Sequence, residues 1–192
     1  MPNDLTGKEY DDFYRDTQDG RRSAKRRRQD IAENWINSLG IKVILPPRSP
    51  ISGRYVEYGG YSVVNRWIRT PFPPTTDRQL YVLAEQIARL VFDHNGKRSG
   101  YLYAYERQLF AHQLLKSRNI NVDQKTKWRA WIEVRTLLRA TLNNEKTLID
   151  REVAVWAEIV VPHSRLARIN HHDKIRVRII EVMSAITRGV SS

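Results

Sequence analysis

Glu85, Gln86 and Arg89 stand together in the otherwise apolar stretch Leu80–Val91, and Glu106 follows in Tyr105-Glu-Arg-Gln-Leu-Phe-Ala111. Leu80, Leu83, Ile87 and Leu90/Val91 recur at helical spacing, which puts Glu85 and Arg89 one turn apart on one helix face. Opposite charges so placed form an ion pair, either an ordinary exposed one or part of a larger buried cluster. The five histidines, His94, His112, His163, His171 and His172, show no H-x-x-x-H spacing, so surface or hydrogen-bonded imidazoles are the usual reading. The chain has no cysteine, which excludes disulfides, thiolate nucleophiles and Cys-type zinc sites. Phosphate-binding glycine loops of the G-x-x-x-x-G-K-[ST] and G-x-G-x-x-G forms are missing too.

Charge is the second chemical signal. With 33 Lys and Arg against 21 Asp and Glu, the net charge is +12, which favours polyanionic partners through a long-range, salt-sensitive attraction. Arg21, Arg22, Lys25, Arg26, Arg27 and Arg28 place six cations in eight residues. They read as a phosphate-binding patch or as a solvated helix turn, partly neutralised by the acidic residues before them. A second basic group lies later: Lys127, Arg135 and Arg139, with Trp128 near the two arginines, then Arg176 and Arg178. Basic and aromatic side chains on one face suit phosphate contact and base stacking; a solvated outer face is the plainer alternative.

The elements that must hold these residues follow from periodicity and breakers. Residues 1–22 are acidic and polar, with Tyr10, Phe13 and Tyr14, and read as a flexible arm. Ile31, Trp35 and Leu39 predict a helix from Ser23, stopped by Gly40. A short strand covers residues 41–45, and the runs 54–58 and 61–69 around Gly59-Gly60 read as a β-hairpin. Thr75, Thr76 and Asp77 can cap a helix running to about Phe92. Further helices are expected over residues 101–117, 126–142, 148–159 and 174–186. The fold class is therefore α+β and mostly helical: five to six helices with a small three-stranded antiparallel sheet in the N-terminal third. One ordinary domain accounts for 192 residues, and no apolar run is long enough to span a bilayer. Without an apolar leader at the N-terminus, a cytoplasmic location (or one within a virion) is expected.

The order helix, strand, hairpin, helix, helix resembles the zincin-like metallopeptidases of the ImmA/IrrE type and their phage- and plasmid-borne relatives, over about residues 24 to 118. In that family a helix carries L-A-H-E-h-G-H, and a later helix carries E-x-x-x-F-A, whose glutamate is the third metal ligand. Here Val82-Leu-Ala84 precedes the slot Glu85-Gln86-Ile87-Ala88-Arg89, and Glu106-Arg-Gln-Leu-Phe-Ala111 matches the second motif. Glu152-Val-Ala-Val-Trp-Ala157 echoes that motif further on. Both histidines and the basic glutamate of the first motif are replaced, and only Glu106 keeps its type. Arg89 cannot ligate a cation and Gln86 cannot take a proton, so this slot should not hydrolyse peptides. What the resemblance implies instead is a degenerate metal site, with the Arg89 guanidinium between Glu85 and Glu106 where the metal stood. His94 and His112 are the side chains that could restore a metal site with Glu85 and Glu106.

On this reading the chain divides into an acidic arm (1–22), a zincin-like core (23–122) and a C-terminal helical extension (123–192). The leading function is a non-catalytic, zincin-derived binding protein of a phage or mobile element, without cofactor or metal. Its basic surfaces contact nucleic acid with low sequence preference, or an acidic protein surface, and no membrane. A structural or assembly protein, forming homo-oligomers or part of a virion, is the second reading. A metal-dependent hydrolase with an unconventional site is the third.

Overall fold

The computed structural model describes residues 7–48, 50–52, 60–92, 100–144, 147–167 and 171–188. Among them the elements run α1 (Gly7–Ser38), β1 (Lys42–Ile44), β2 (Tyr61–Ser62), β3 (Trp67–Arg69), α2 (Asp77–Val91), α3 (Gly100–Lys116), α4 (Gln124–Leu142), α5 (Arg151–Trp156) and α6 (His171–Arg188). The class is α+β and mostly helical, as the periodicity predicts.

Helices α2 and α3 form the centre. The predicted apolar stripe of α2 is buried at Leu80, Leu83, Ile87 and Leu90, and α3 buries Tyr101, Tyr105, Phe110, Leu114 and Leu115. Thr76 starts α2 by accepting from the Gln79 amide at 3.2 Å, and Asp123 starts α4 by accepting from the Thr126 amide at 2.8 Å. Trp35, fully buried, anchors the end of α1 in the same core. That helix stops where expected: Gly40 takes φ 59°, and the Ile41 amide donates back to the Ile36 carbonyl at 2.9 Å.

Three expectations are corrected. Helix α1 begins at Gly7, so most of the segment read as a flexible arm is helical. Acidic and polar composition marks a surface, and a surface helix has the same composition as a loose arm. The sheet is mixed, not antiparallel: its order is β1-β3-β2, with β1 parallel to β3 (Val43 opposite Ile68) and β2 antiparallel to it (Tyr61 opposite Ile68). The run 61–69, read as one strand, is itself two strands joined by a turn. Ser62 Oγ accepts from the Asn65 amide at 3.2 Å, the Arg66 amide donates to the Val63 carbonyl, and Arg66 adopts φ 47°. This local turn chemistry overrides the β-propensity of Val63-Val64. The Arg66 guanidinium then ties the turn to the Leu39 and Gly40 carbonyls at the end of α1. The partner strand expected at 54–58, with its Gly59 turn, lies outside the described residues.

Helix α5 is shorter than the predicted 148–159. Ile149 is taken into a parallel bridge with Leu166, its amide donating to the Arg165 carbonyl at 2.8 Å. Asp150, 2% exposed, caps the helix by accepting from the Glu152 and Val153 amides at 3.0 and 3.2 Å. The Asp150 amide donates to the Tyr101 hydroxyl of α3 at 3.1 Å, which fixes α5 to the centre. Replacing Asp150 with Ala leaves two amides of the first turn, the Val153 one buried, without their acceptor. It should lower the unfolding free energy by about 1–2 kcal/mol, measured by urea denaturation.

Candidate functional site

The seam where α2, α3 and α4 meet is polar. From α2 comes Glu85, from α3 Arg107 and Gln108, and from α4 Glu133. The Arg107 guanidinium lies between the two carboxylates, 3.5 Å from Glu85 and 2.5 Å from Glu133. Gln108 Nε2 donates to Glu85 and Glu133, each at 2.8 Å, and its Oε1 accepts from the Tyr81 hydroxyl. A Glu–Arg–Glu lock is present, but built on Arg107 and Glu133 instead of Arg89 and Glu106.

The difference of one residue along α3 is a rotation of about 100°. Glu106, fully buried, faces α6, where Arg178 approaches its carboxylate at 3.7 Å. Arg107, one position on, faces α2 and α4. Arg89 makes no ion pair with Glu85 or Glu106, so the predicted cluster does not form. Burial pushes the Glu85 carboxyl above the usual carboxylate range; Arg107 pulls it back and Glu133 pushes it up again. Burial and the neighbouring Arg107 hold the Arg89 guanidinium below its ordinary value.

Two open spaces flank Arg89. A cleft of about 510 Å³ is lined by Arg78, Val82, Glu85, Gln86 and Arg89 beside Thr76. A smaller one, about 300 Å³, lies between Arg89, Arg107, Tyr61 and Tyr103. Among the described residues no group of three His, Asp or Glu could hold a metal ion. His94 lies outside those residues, and His112 joins the polar seam: its Nδ1 is 2.8 Å from the Gln108 carbonyl and 3.2 Å from the Tyr81 hydroxyl. A carbonyl can only accept, so Nδ1 carries the proton. Arg89 and Gln86 therefore line a cleft that can bind and orient; Arg89 cannot ligate a metal, and Gln86 cannot serve as a general base.

The basic residues divide by what their side chains touch. Arg21, Arg22, Lys25 and Arg26 are exposed on α1, with only a 3.8 Å surface pair from Arg22 to Asp19. Arg27, also exposed, donates to the Arg118 carbonyl at 2.8 Å, and Arg28 binds Asp77 at 2.5 Å, tying α1 to the start of α2. Lys127, Arg139 and Arg176 are exposed on α4 and α6. Arg135 is engaged internally, donating to the Ala157 and Glu158 carbonyls at 2.8 and 3.1 Å and lying 4.5 Å over Trp131, not Trp128. Arg178 donates to the Phe92 carbonyl at 3.0 Å besides facing Glu106. For Arg28, Arg135 and Arg178 the charge is therefore used inside the fold. Two grooves of about 400 Å³ run beside the α1 cluster, past Arg26, Arg27 and Arg118 and past Arg28 and Asn119.

Replacing Arg107 with Ala leaves Glu85 and Glu133 facing each other without a cation. The loss should be about 3 kcal/mol by chemical denaturation, and the Glu85→Gln background should recover part of it. Burial lowers the His112 pKa from its ordinary 6.5, against the opposing pull of the Gln108 carbonyl. The unfolded chain thus binds this proton first as the pH drops. Its contribution to stability is complete above pH 6.5 and is lost as pH falls from there through the folded value. A side-chain NMR titration of the folded protein should place the His112 midpoint below 6.5.

Compared with known proteins, the chain matches no family model, no curated protein and no solved structure. The zincin resemblance rests on the motifs quoted above.

Proposed function

We propose that this chain is a non-catalytic binding protein that grips the phosphate backbone of nucleic acid through α1. The observation that carries this reading is the exposed set Arg21, Arg22, Lys25 and Arg26. Arg21 and Lys25, like Arg22 and Arg26, are one turn apart, so four cations crowd a single turn of two adjoining stripes. Like charges at that spacing weaken a helix by a few tenths of a kcal/mol per pair. Among the described residues the ion pair made by this set is Arg22–Asp19, at the surface, where a pair is worth little. A polyanion removes that repulsion and releases its own counterions on binding. The grooves alongside, with Arg27 and Arg118 on their walls, extend the positive surface. Among the described residues no set of base-reading side chains stands out, which fits weak sequence preference. Along with the zincin resemblance, the reading points to a phage or mobile-element setting.

A second reading, an assembly protein that binds copies of itself, is favoured by Val177 and Ile180. These lie one turn apart on the outer face of α6, 55% and 61% exposed. Size-exclusion chromatography with light scattering separates the two readings, because a monomer at micromolar concentration removes the second.

Fluorescence anisotropy with labelled duplex DNA and RNA across salt tests the first. Four phosphate contacts predict a log–log slope of affinity on salt of about −3.6 for duplex DNA. Alanine at Arg21, Arg22, Lys25 and Arg26 together should flatten that slope to near zero and leave the folded signal intact, since all four are exposed. Binding that survives these substitutions would move the interface elsewhere, and no binding at low salt would end the nucleic-acid reading.

A further inference from the structure

The cleft along α2 has a charge pattern of its own, separate from the α1 surface. Arg78, Val82, Glu85 and Arg89 are spaced i, i+4, i+7 and i+11, so they form one stripe running three turns, roughly 16 Å. Gln86 borders the stripe and is 5% exposed. Its Oε1 is buried without a hydrogen bond, and so is Arg89 Nε. Buried polar atoms are nearly always paired, and both of these belong to side chains that line one cleft, which points to a missing partner there. Glu85 is already oriented by Arg107 and Gln108, so its carboxylate is a fixed negative wall. Along the cleft the lining reads cation, apolar surface, carboxylate with an amide oxygen, cation. An anion alone satisfies the two arginines but not Gln86 Oε1, which needs a donor. A cation alone leaves both guanidiniums unmatched.

We propose that this cleft binds a small zwitterionic amino-dicarboxylate. One carboxylate meets the Arg89 guanidinium, and the ammonium lies between the Glu85 carboxylate and Gln86 Oε1. The methylenes cross Val82, and the second carboxylate reaches Arg78. Charge-assisted hydrogen bonds of this kind are the strong ones, and a volume of about 510 Å³ is in the range of small-molecule sites. The ligand carboxylate would also relieve Arg89, which burial and Arg107 both disfavour as a cation.

The test is an NMR titration of the full chain with three probes: L-glutamate, glutarate (which lacks the ammonium) and 4-aminobutyrate (which lacks one carboxylate). Glutamate should shift the Gln86 side-chain amide and Arg89 Nε resonances and bind at least about tenfold tighter than either analogue, one lost charged contact each. Arg78→Gln, at an exposed position, should weaken glutamate about tenfold with the spectrum otherwise unchanged, and Arg89→Gln should do at least as much. The variant with alanine at Arg21, Arg22, Lys25 and Arg26 should bind glutamate as the parent does, so this site and the polyanion surface stand or fall separately. No shift at Gln86 or Arg89 up to tens of millimolar glutamate overturns the proposal. So does equal affinity for glutarate, or undiminished binding by Arg78→Gln.

Discussion

Arg107 between Glu85 and Glu133 is the interaction on which the arrangement of the three central helices depends. Helices α2 and α4 each contribute one carboxylate, and α3 contributes both Arg107 and Gln108, which pair with the two of them. For Glu85 and Arg107, largely taken from water, desolvation costs about as much as pairing returns, while Glu133 stays partly exposed. The value of the arrangement is thus in specificity: a slip of α3 that replaced Arg107 with Glu106 would bring three carboxylates together. Gln108, donating to both carboxylates, reinforces the register from a second position.

The same helix gives Glu106 the opposite assignment. Its burial against Arg178 joins α6 to the back of α3, and Arg178 meanwhile donates to the Phe92 carbonyl at the end of α2. Arg135 and Arg165 do comparable work, donating to carbonyls left unpaired where α5 and α4 end. A large fraction of the arginines in this basic chain are structural cross-links. The net charge of +12 is consequently a poor guide to which cations are free, since many of the described arginines are spent on contacts within the fold.

Element type and most ends were readable in the sequence, because they rest on local rules. The stripe Leu80, Leu83, Ile87, Leu90, the stop at Gly40 and the cap at Thr76 all stand where periodicity and capping put them. Strand direction was not readable: β1 pairs with β3 in parallel, a long-range choice that short strands with no distinctive pattern do not encode. The lock was half legible. A carboxylate–guanidinium–carboxylate arrangement at Glu85 follows from the charges, but its partners depend on helix rotation. Motif matching placed Glu106 against α2, whereas the packing of Tyr105 and Phe110 into the core turns Arg107 and Gln108 there. The Glu133 contribution carried no signal, since a lone glutamate in the basic run 125–139 reads as a surface charge.

Helix α1 has an unequal distribution of support along its length. Among the residues of α1 whose side chains are described, the buried anchors, Ala32, Trp35 and Ile36, lie in the last two turns, while residues 18–23 and 25–27 are exposed. Cooperative opening of a helix starts where fewest apolar contacts hold it. The outer turns of α1 can therefore unwind and rewind with little effect on the core, and their amides should exchange with solvent long before those around Trp35. Any ligand held by the basic cluster would therefore add to the support of these outer turns, so occupancy of that surface would be coupled to the length of ordered helix.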